Sequence, residues 1–138
     1  MAIFYYKDKT PCECDEMERL HYSGAKALYR EIPCVNGHYH GLCREYYPSG
    51  ALFREVLIVN GKEQGTLKSF YEDGVTIHYE ITYANGKRYG ASKWFYETGV
   101  LERETPYKNG KRNGIECQYD ERGVLQSKTI YINDERQE

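Results

Sequence analysis

The sequence predicts an all-β protein: a tandem array of β-hairpins within 138 residues. Three observations predict it. Asn-Gly recurs as Asn36-Gly37, Asn60-Gly61, Asn85-Gly86 and Asn109-Gly110, with Asn133-Asp134 as a fading fifth copy, at intervals of 24, 25, 24 and 24 residues. A second glycine follows each Asn by five residues (Gly41, Gly65, Gly90, Gly114), and a third lies nine residues further on (Gly50, Gly74, Gly99, Gly123). Apolar residues show no 3.6-residue period long enough for a helix, whereas Tyr, suited to a half-buried pleated surface, supplies 15 residues. A period this regular marks one supersecondary unit copied in tandem, and such arrays bind far more often than they catalyse.

Each element of the unit follows from its residues. Asn-Gly is the strongest short signal for a tight hairpin turn, because both residues tolerate the positive φ that primed turns demand. First strands are expected over Leu42–Tyr47, Thr66–Tyr71, Ala91–Tyr96 and Ile115–Tyr119. Short glycine-ended turns follow, at Pro48-Ser49-Gly50, Glu72-Asp73-Gly74, Glu97-Thr98-Gly99 and Asp120–Gly123. Return strands are expected over Leu52–Ile58, Ile77–Tyr83, Leu101–Tyr107 and Leu125–Tyr131, all of ordinary strand length. One extra residue near Thr76 reads as a β-bulge.

Residues 1–35 read as an N-terminal cap with a worn repeat, in which Tyr22-Ser23-Gly24 imitates the later turns and Ala2–Tyr6 suits an edge strand. Residues 36–132 hold four repeats, and residues 133–138 form a short tail, all within one domain.

Aligned copies show columns. An aromatic ring stands four residues before each third glycine (Tyr46, Phe70, Phe95, Tyr119), with Leu20 in the worn copy. A β-branched residue stands four before each Asn (Ile32, Val56, Ile81, Thr105, Thr129), and Cys34, Ile58, Tyr83, Tyr107 or Tyr131 stands two before it. These three columns together are the expected core. Glu31, Glu55, Glu80 and Glu104, with Lys128 in the fifth copy, form a polar column, and Arg44, Lys68, Lys93 and Cys117 form another. The acidic row would repel itself unless interleaved with the basic one, so an intramolecular charge ladder on a solvated face is expected.

The pattern Asn-Gly-Lys-x-x-Gly, then aromatic-Tyr-x-x-Gly, then Leu, resembles the MORN repeat in its bacterial, 24-residue variant. The stretch from Asn85-Gly86-Lys87-Arg88-Tyr89-Gly90 to Phe95-Tyr96-Glu97-Thr98-Gly99-Val100-Leu101 matches best, and the likeness runs over about residues 20–134. It implies hairpins stacked side by side into one elongated, twisted antiparallel sheet. The bacterial variant also implies an association with toxin–antitoxin or immunity systems, in which the repeat protein is the inhibitor.

Composition narrows the function classes. Nineteen basic and 21 acidic residues leave a net charge of −2 with the signs mixed, so no nucleic-acid or anionic-lipid partner is expected. The start Met1–Lys7 has neither a basic run nor a long apolar one, so neither a signal peptide nor a membrane span is read there, and a cytoplasmic location is expected.

Cys12, Cys14, Cys34, Cys43 and Cys117 follow no zinc spacing even with His21, His38 and His40 nearby; ordinary free thiols, no metal and no cofactor are expected. His38, His40 and Cys43 lack an oxyanion feature, so no catalytic residue is assigned and the chain reads as non-enzymatic. The local acidic run Glu13–Glu18 reads as an exposed loop.

The expectation for function is a protein-interaction module, with a toxin as the partner that the resemblance implies, a structural or oligomerising scaffold as the alternative, and membrane-surface recognition as a third reading ranked below both. Tyr47, Tyr71, Trp94 and Tyr96 alternate away from the aromatic column and are the expected binding anchors, since aromatic surface is over-represented in binding hot spots. Glu55, Glu80 and Glu104 are expected to tune the electrostatics of docking.

Overall fold

Every Asn of the repeated turns adopts a left-handed conformation (φ 49–51°), and the glycine after it has φ between 74° and 82°. This is the geometry of a two-residue primed turn, whose twist matches that of the strands it joins. The fading copy keeps it, with Asn133 at φ 49° and Asp134 at φ 71°.

The computed structural model describes residues 17–21 and 28–138, with side chains from residue 29 onward. The strands are β1 (Met17–His21), β2 (Leu28–Val35), β3 (His38–Tyr39), β4 (Gly41–Tyr46), β5 (Leu52–Val59), β6 (Lys62–Phe70), β7 (Ile77–Ala84), β8 (Lys87–Arg88), β9 (Gly90–Phe95), β10 (Leu101–Lys108), β11 (Lys111–Arg112), β12 (Gly114–Tyr119), β13 (Leu125–Ile132) and β14 (Glu135–Arg136). They form a single open antiparallel sheet in chain order, with the short β3, β8 and β11 extending the hairpins at the Asn-Gly turns. The array of hairpins read from the sequence is therefore the observed fold, and no helix occurs among the described residues. Tyr22-Ser23-Gly24 and Ala2–Tyr6 lie outside the described residues.

Two rows of hydrogen bonds tie each repeat to the next. Along the Asn-Gly edge, a turn N–H donates to a carbonyl one repeat back: Gly61 to Tyr39 (3.0 Å), Gly86 to Glu63 (2.9 Å), Gly110 to Arg88 (2.9 Å) and Asp134 to Arg112 (3.0 Å). Along the opposite edge, a tyrosine hydroxyl donates one repeat forward: Tyr47 to the Phe70 carbonyl (2.7 Å), Tyr71 to Phe95 (2.5 Å) and Tyr96 to Tyr119 (2.8 Å).

The extra residue of the second full unit is taken up in the turn. There the Tyr71 N–H reaches the Thr76 carbonyl, whereas Tyr47, Tyr96 and Asp120 reach Ala51, Val100 and Val124, one residue fewer. Asp73 Oδ1 accepts the Val75 and Thr76 N–H groups, both at 2.8 Å, and so closes the wider loop. The expected single bulge is thus a longer turn. A register shift beside the turn is instead common to the repeats, at Glu45/Tyr46, Ser69/Phe70, Leu101/Arg103 and Gln118/Tyr119.

Register decides the faces. Cys43 pairs with Val56, Leu67 with Ile81, Ser92 with Thr105 and Glu116 with Thr129. These residues share one face, where Ile32, Cys43, Val56, Ile58 and Leu67 form a buried cluster packed by Tyr39, Tyr79 and Tyr83. The β-branched column is therefore core, as expected. The aromatic column is not, because side chains alternate along a strand and Tyr46 stands three residues from Cys43. Tyr46 is on the other face, its hydroxyl donating to Glu31 Oε2 at 3.0 Å.

That other face carries the charge ladder. Its cross-strand pairs run Glu31–Arg44–Glu55–Lys68–Glu80–Lys93–Glu104–Cys117–Lys128 as one continuous series. Acid alternates with base as far as Glu104, and Arg44 Nε lies 3.5 Å from Glu55 Oε2.

Along the core face the chemistry changes. The apolar cluster gives way beyond Ile81 to Ser92, Thr105 and Glu116, all buried, and the Thr105 hydroxyl donates to Glu116 Oε2 at 2.7 Å. Cys43 and Cys117 are free thiols, whereas Cys34 is disulfide-bonded rather than the free thiol expected. Burial pushes the Cys43 thiol above its ordinary pKa, although the neighbouring Arg30 opposes it.

Candidate functional site

The seven residues singled out from the sequence do not converge. Glu55, Glu80 and Glu104 stand on the ladder face, each between basic cross-strand neighbours or, for Glu104, between Lys93 and Cys117. Tyr47, Tyr71 and Tyr96 line the glycine-turn edge, half-buried, with Tyr47 packed on Phe53 (5.0 Å between centroids) and Tyr71 on His78 (4.4 Å). Their hydroxyls are engaged in holding repeats together. Trp94 stands on the core face, paired across strands with Tyr79 and Arg103. The expectation that these rings alternate away from the core fails for the same reason as the aromatic column: the core residues of the first strand have the opposite parity.

Two centres on the core face escaped the sequence reading. The first is a buried carboxylate. Glu45 is 3 % exposed and pairs in register with both Arg30 and Arg54. Arg30 Nε lies 3.1 Å from Glu45 Oε1, and Arg54 meets both carboxylate oxygens, Nη2 at 3.0 Å from Oε1. Burial works against the Arg54 charge, but hydrogen bonding and attraction to Glu45 outweigh it and hold its pKa above the ordinary value. These residues line a small cavity with Cys43, Val56, Ile58, Leu67 and Tyr83.

The second centre is a run of arginine–aromatic stacks in the C-terminal half. The Arg103 guanidinium lies 4.2 Å from the Trp94 ring centroid, Arg88 5.2 Å from Tyr107 and Arg112 4.1 Å from Tyr131. Arg88 Nη1 also donates to the Tyr107 hydroxyl at 3.1 Å. Arg112 Nε lies 3.2 Å from Asp134 Oδ1, which also accepts the Arg112 N–H at 2.8 Å; that backbone bond is the main cause holding the Asp134 carboxyl below its ordinary pKa. All six stacked side chains are half-buried rather than enclosed.

A signal for both centres was present in the repeat columns. Arg30, Arg54, Tyr79, Arg103 and Ser127 all stand six residues before an Asn, and Glu45, Ser69, Trp94 and Gln118 stand five before a third glycine. These columns vary from copy to copy, so they escape a search for repeated residues.

Among the described residues no group of three or more His, Cys, Asp or Glu side chains is placed to hold a metal, and no helix is long and apolar enough to cross a membrane. Cys12 and Cys14 lie outside the described residues.

A model of the MORN repeat variant matches residues 39–60, 88–109 and 112–133. No curated protein matches the chain significantly.

Proposed function

The chain is a MORN-variant repeat protein, and from that premise we propose that it acts by docking a partner protein on the C-terminal half of its core face. MORN repeats are commonly protein- or membrane-interaction modules and are a non-catalytic class of repeat. The observation that carries the choice of face is the set of three half-buried arginine–aromatic stacks, Arg88/Tyr107, Arg103/Trp94 and Arg112/Tyr131. Trp, Tyr and Arg are the side chains most enriched where binding energy concentrates. Pre-stacked guanidinium groups lose less conformational freedom on docking than free ones. A protein rather than a lipid surface is favoured by the net charge of −2 and by a ladder face on which most charges already have an opposite neighbour.

The finer form of the proposal is an inhibitor of the antitoxin or immunity type, in which docking obstructs the partner's active surface. The likeness of the 24-residue unit to the bacterial variant supports it.

The test is affinity capture from host lysate with the wild-type chain, with Trp94→Ala and Arg112→Ala on the proposed face, and with Glu80→Gln on the ladder face. Expected is one stoichiometric protein, retained by Glu80→Gln and lost with the other two. Equal capture by all four chains overturns the choice of face. A captured protein that arrests growth when expressed alone, and is silenced by co-expression, carries the inhibitor form; one without such an effect removes it.

A scaffold reading has one observation in its favour. Over residues 125–129, β13 pairs only with β12 among the described strands, leaving an open edge that ends beside exposed Ile130 and Ile132. Light scattering that shows a defined oligomer through this edge would favour it over the inhibitor.

A further inference from the structure

The repeats permit a comparison of one chemical position with itself. Arg54 and Arg103 occupy the same place in their units, six residues before Asn60 and Asn109. Each is flanked in register by two residues of the neighbouring first strands: Arg54 by Glu45 and Ser69, Arg103 by Trp94 and Gln118. In the first case the guanidinium receives a carboxylate from within the chain, that of Glu45. In the second the carboxylate is missing. Among the described residues Arg103 makes no ion pair or side-chain hydrogen bond; its Nε is buried without a hydrogen-bond partner, as is that of Arg30, which however has the Glu45 carboxylate 3.1 Å away.

A buried, unpartnered N–H on a permanently charged group is costly and is rarely left unpaired in a folded protein. The stack on Trp94 satisfies the face of the guanidinium and leaves its in-plane donors unused. Beside it opens a cleft of about 150 Å³ lined by Tyr96, Glu102, Arg103, Gln118 and Tyr119. That is several times the share of liquid volume a water molecule occupies, about 30 Å³, so a carboxylate side chain fits. Glu102 lines the same cleft without forming an ion pair with the guanidinium. Gln118, in the cross-strand position that Glu45 holds toward Arg30, is a neutral amide whose Nε2 donates to Glu116 Oε1 at 3.2 Å.

We infer that the Arg103 cleft is a recognition site for a carboxylate side chain, an Asp or Glu presented by the partner protein, which completes on Arg103 the pairing that Glu45 supplies to Arg54. The inference rests on the protein-binding reading above and gives it a chemical content. The flat guanidinium, held against Trp94, offers fork-like donors that match a carboxylate and no neutral isostere.

The chain's one tryptophan is the reporter. N-acetyl-Gly-Glu-Gly-amide and its Gln counterpart are titrated against the intact protein, with Trp94 fluorescence and the Arg103 Nε–H resonance followed together. The expected result is a saturable change with the Glu peptide and binding at least about tenfold weaker with the Gln peptide. Arg103→Gln should abolish the response.

Should Arg103→Gln disturb folding, Gln118→Glu provides an independent arm. It places an internal carboxylate opposite Arg103, moves the Nε–H resonance without any peptide, and blocks the Glu peptide. A response that the Gln peptide reproduces, that survives Arg103→Gln, or that is unchanged in Gln118→Glu overturns the site. Any of those results leaves the protein-binding reading to its own test by capture.

Discussion

The hydroxyl of Tyr71 donates to the carbonyl of Phe95, 24 residues further along the chain, and Tyr47 and Tyr96 repeat the contact with Phe70 and Tyr119. The rings were expected to serve as binding anchors, but their polar tips join repeats. Tyr71→Phe keeps the ring and removes the bond, so it should cost about 0.5–1.5 kcal/mol. Urea unfolding followed by circular dichroism measures it. A triple Tyr→Phe chain that loses no more than the experimental error removes the hydroxyl row as a source of stability. Replacing the same tyrosines by Ser would take the rings as well, and so would confuse loss of binding with loss of fold.

Gly114 and Gly90 stand at equivalent places in successive repeats but in different surroundings. A Cβ on Gly114 would lie 2.7 Å from Pro106 Cγ, at φ +129°, whereas one on Gly90 meets nothing within 4 Å at φ +73°. Gly114→Ala should therefore destabilise by about 2–3 kcal/mol and Gly90→Ala by about 1. Adding Pro106→Ala should recover part of the first loss and none of the second. Thermal melts of the four chains decide this.

Glu45 holds two arginines beside the apolar cluster of Cys43, Val56, Ile58 and Leu67. Glu45→Gln leaves both guanidinium groups without their carboxylate, at an expected cost of about 3 kcal/mol. Much of that should return on adding Arg30→Met and Arg54→Met, since charge and partner then leave together. A double-mutant cycle in denaturant measures the coupling, and strict additivity would contradict the arrangement.

Glu80 lies between Lys68 and Lys93 on the ladder. Glu80→Lys places three like charges in adjacent strands and should cost about 0.5–1 kcal/mol at low ionic strength. Half-molar salt should erase most of the difference. A penalty indifferent to salt would mean that the loss comes from packing rather than charge.

The Asp73 carboxyl is held below its ordinary pKa by the Thr76 hydroxyl and by the N–H groups of Val75 and Thr76. Because the folded state lowers the pKa, the carboxylate's contribution is full above the unfolded value of about 3.8 and is lost as pH falls through the folded one. The wild-type chain should lose stability as pH falls below about 4. Asp73→Asn should flatten part of that acid limb while leaving neutral pH little changed. Unfolding midpoints across this range supply the comparison.

What the sequence disclosed, and what it withheld, follows from the kind of signal each feature leaves. Asn-Gly spacing reports turns directly, because few dipeptides tolerate two successive positive φ angles, and strand order follows from turns this short. The ladder was legible too, since Glu55 and Lys68 recur in every unit or nearly so. Face assignment was not. Whether Tyr46 or Cys43 points toward Val56 depends on a pairing register that no single strand displays, and an error of one residue inverts the whole set. The Arg103 site was hidden for another reason. Its meaning lies in a departure from the repeat, where Trp94 and Gln118 stand in the column that held Glu45, and such a departure has content only once the contacts of the earlier copy are known.

The two rows of bonds between repeats have a consequence for how such a chain changes in length. Each donor reaches about one unit along the chain, forward on one edge and backward on the other, so both rows close again after the gain or loss of a whole unit. A lone extra residue in a strand would break both rows at once; in the tyrosine turn it costs only a wider loop, as at Thr76. The molecule thus edits its own size in steps of one hairpin, and a single-residue slip survives only where the loop can absorb it.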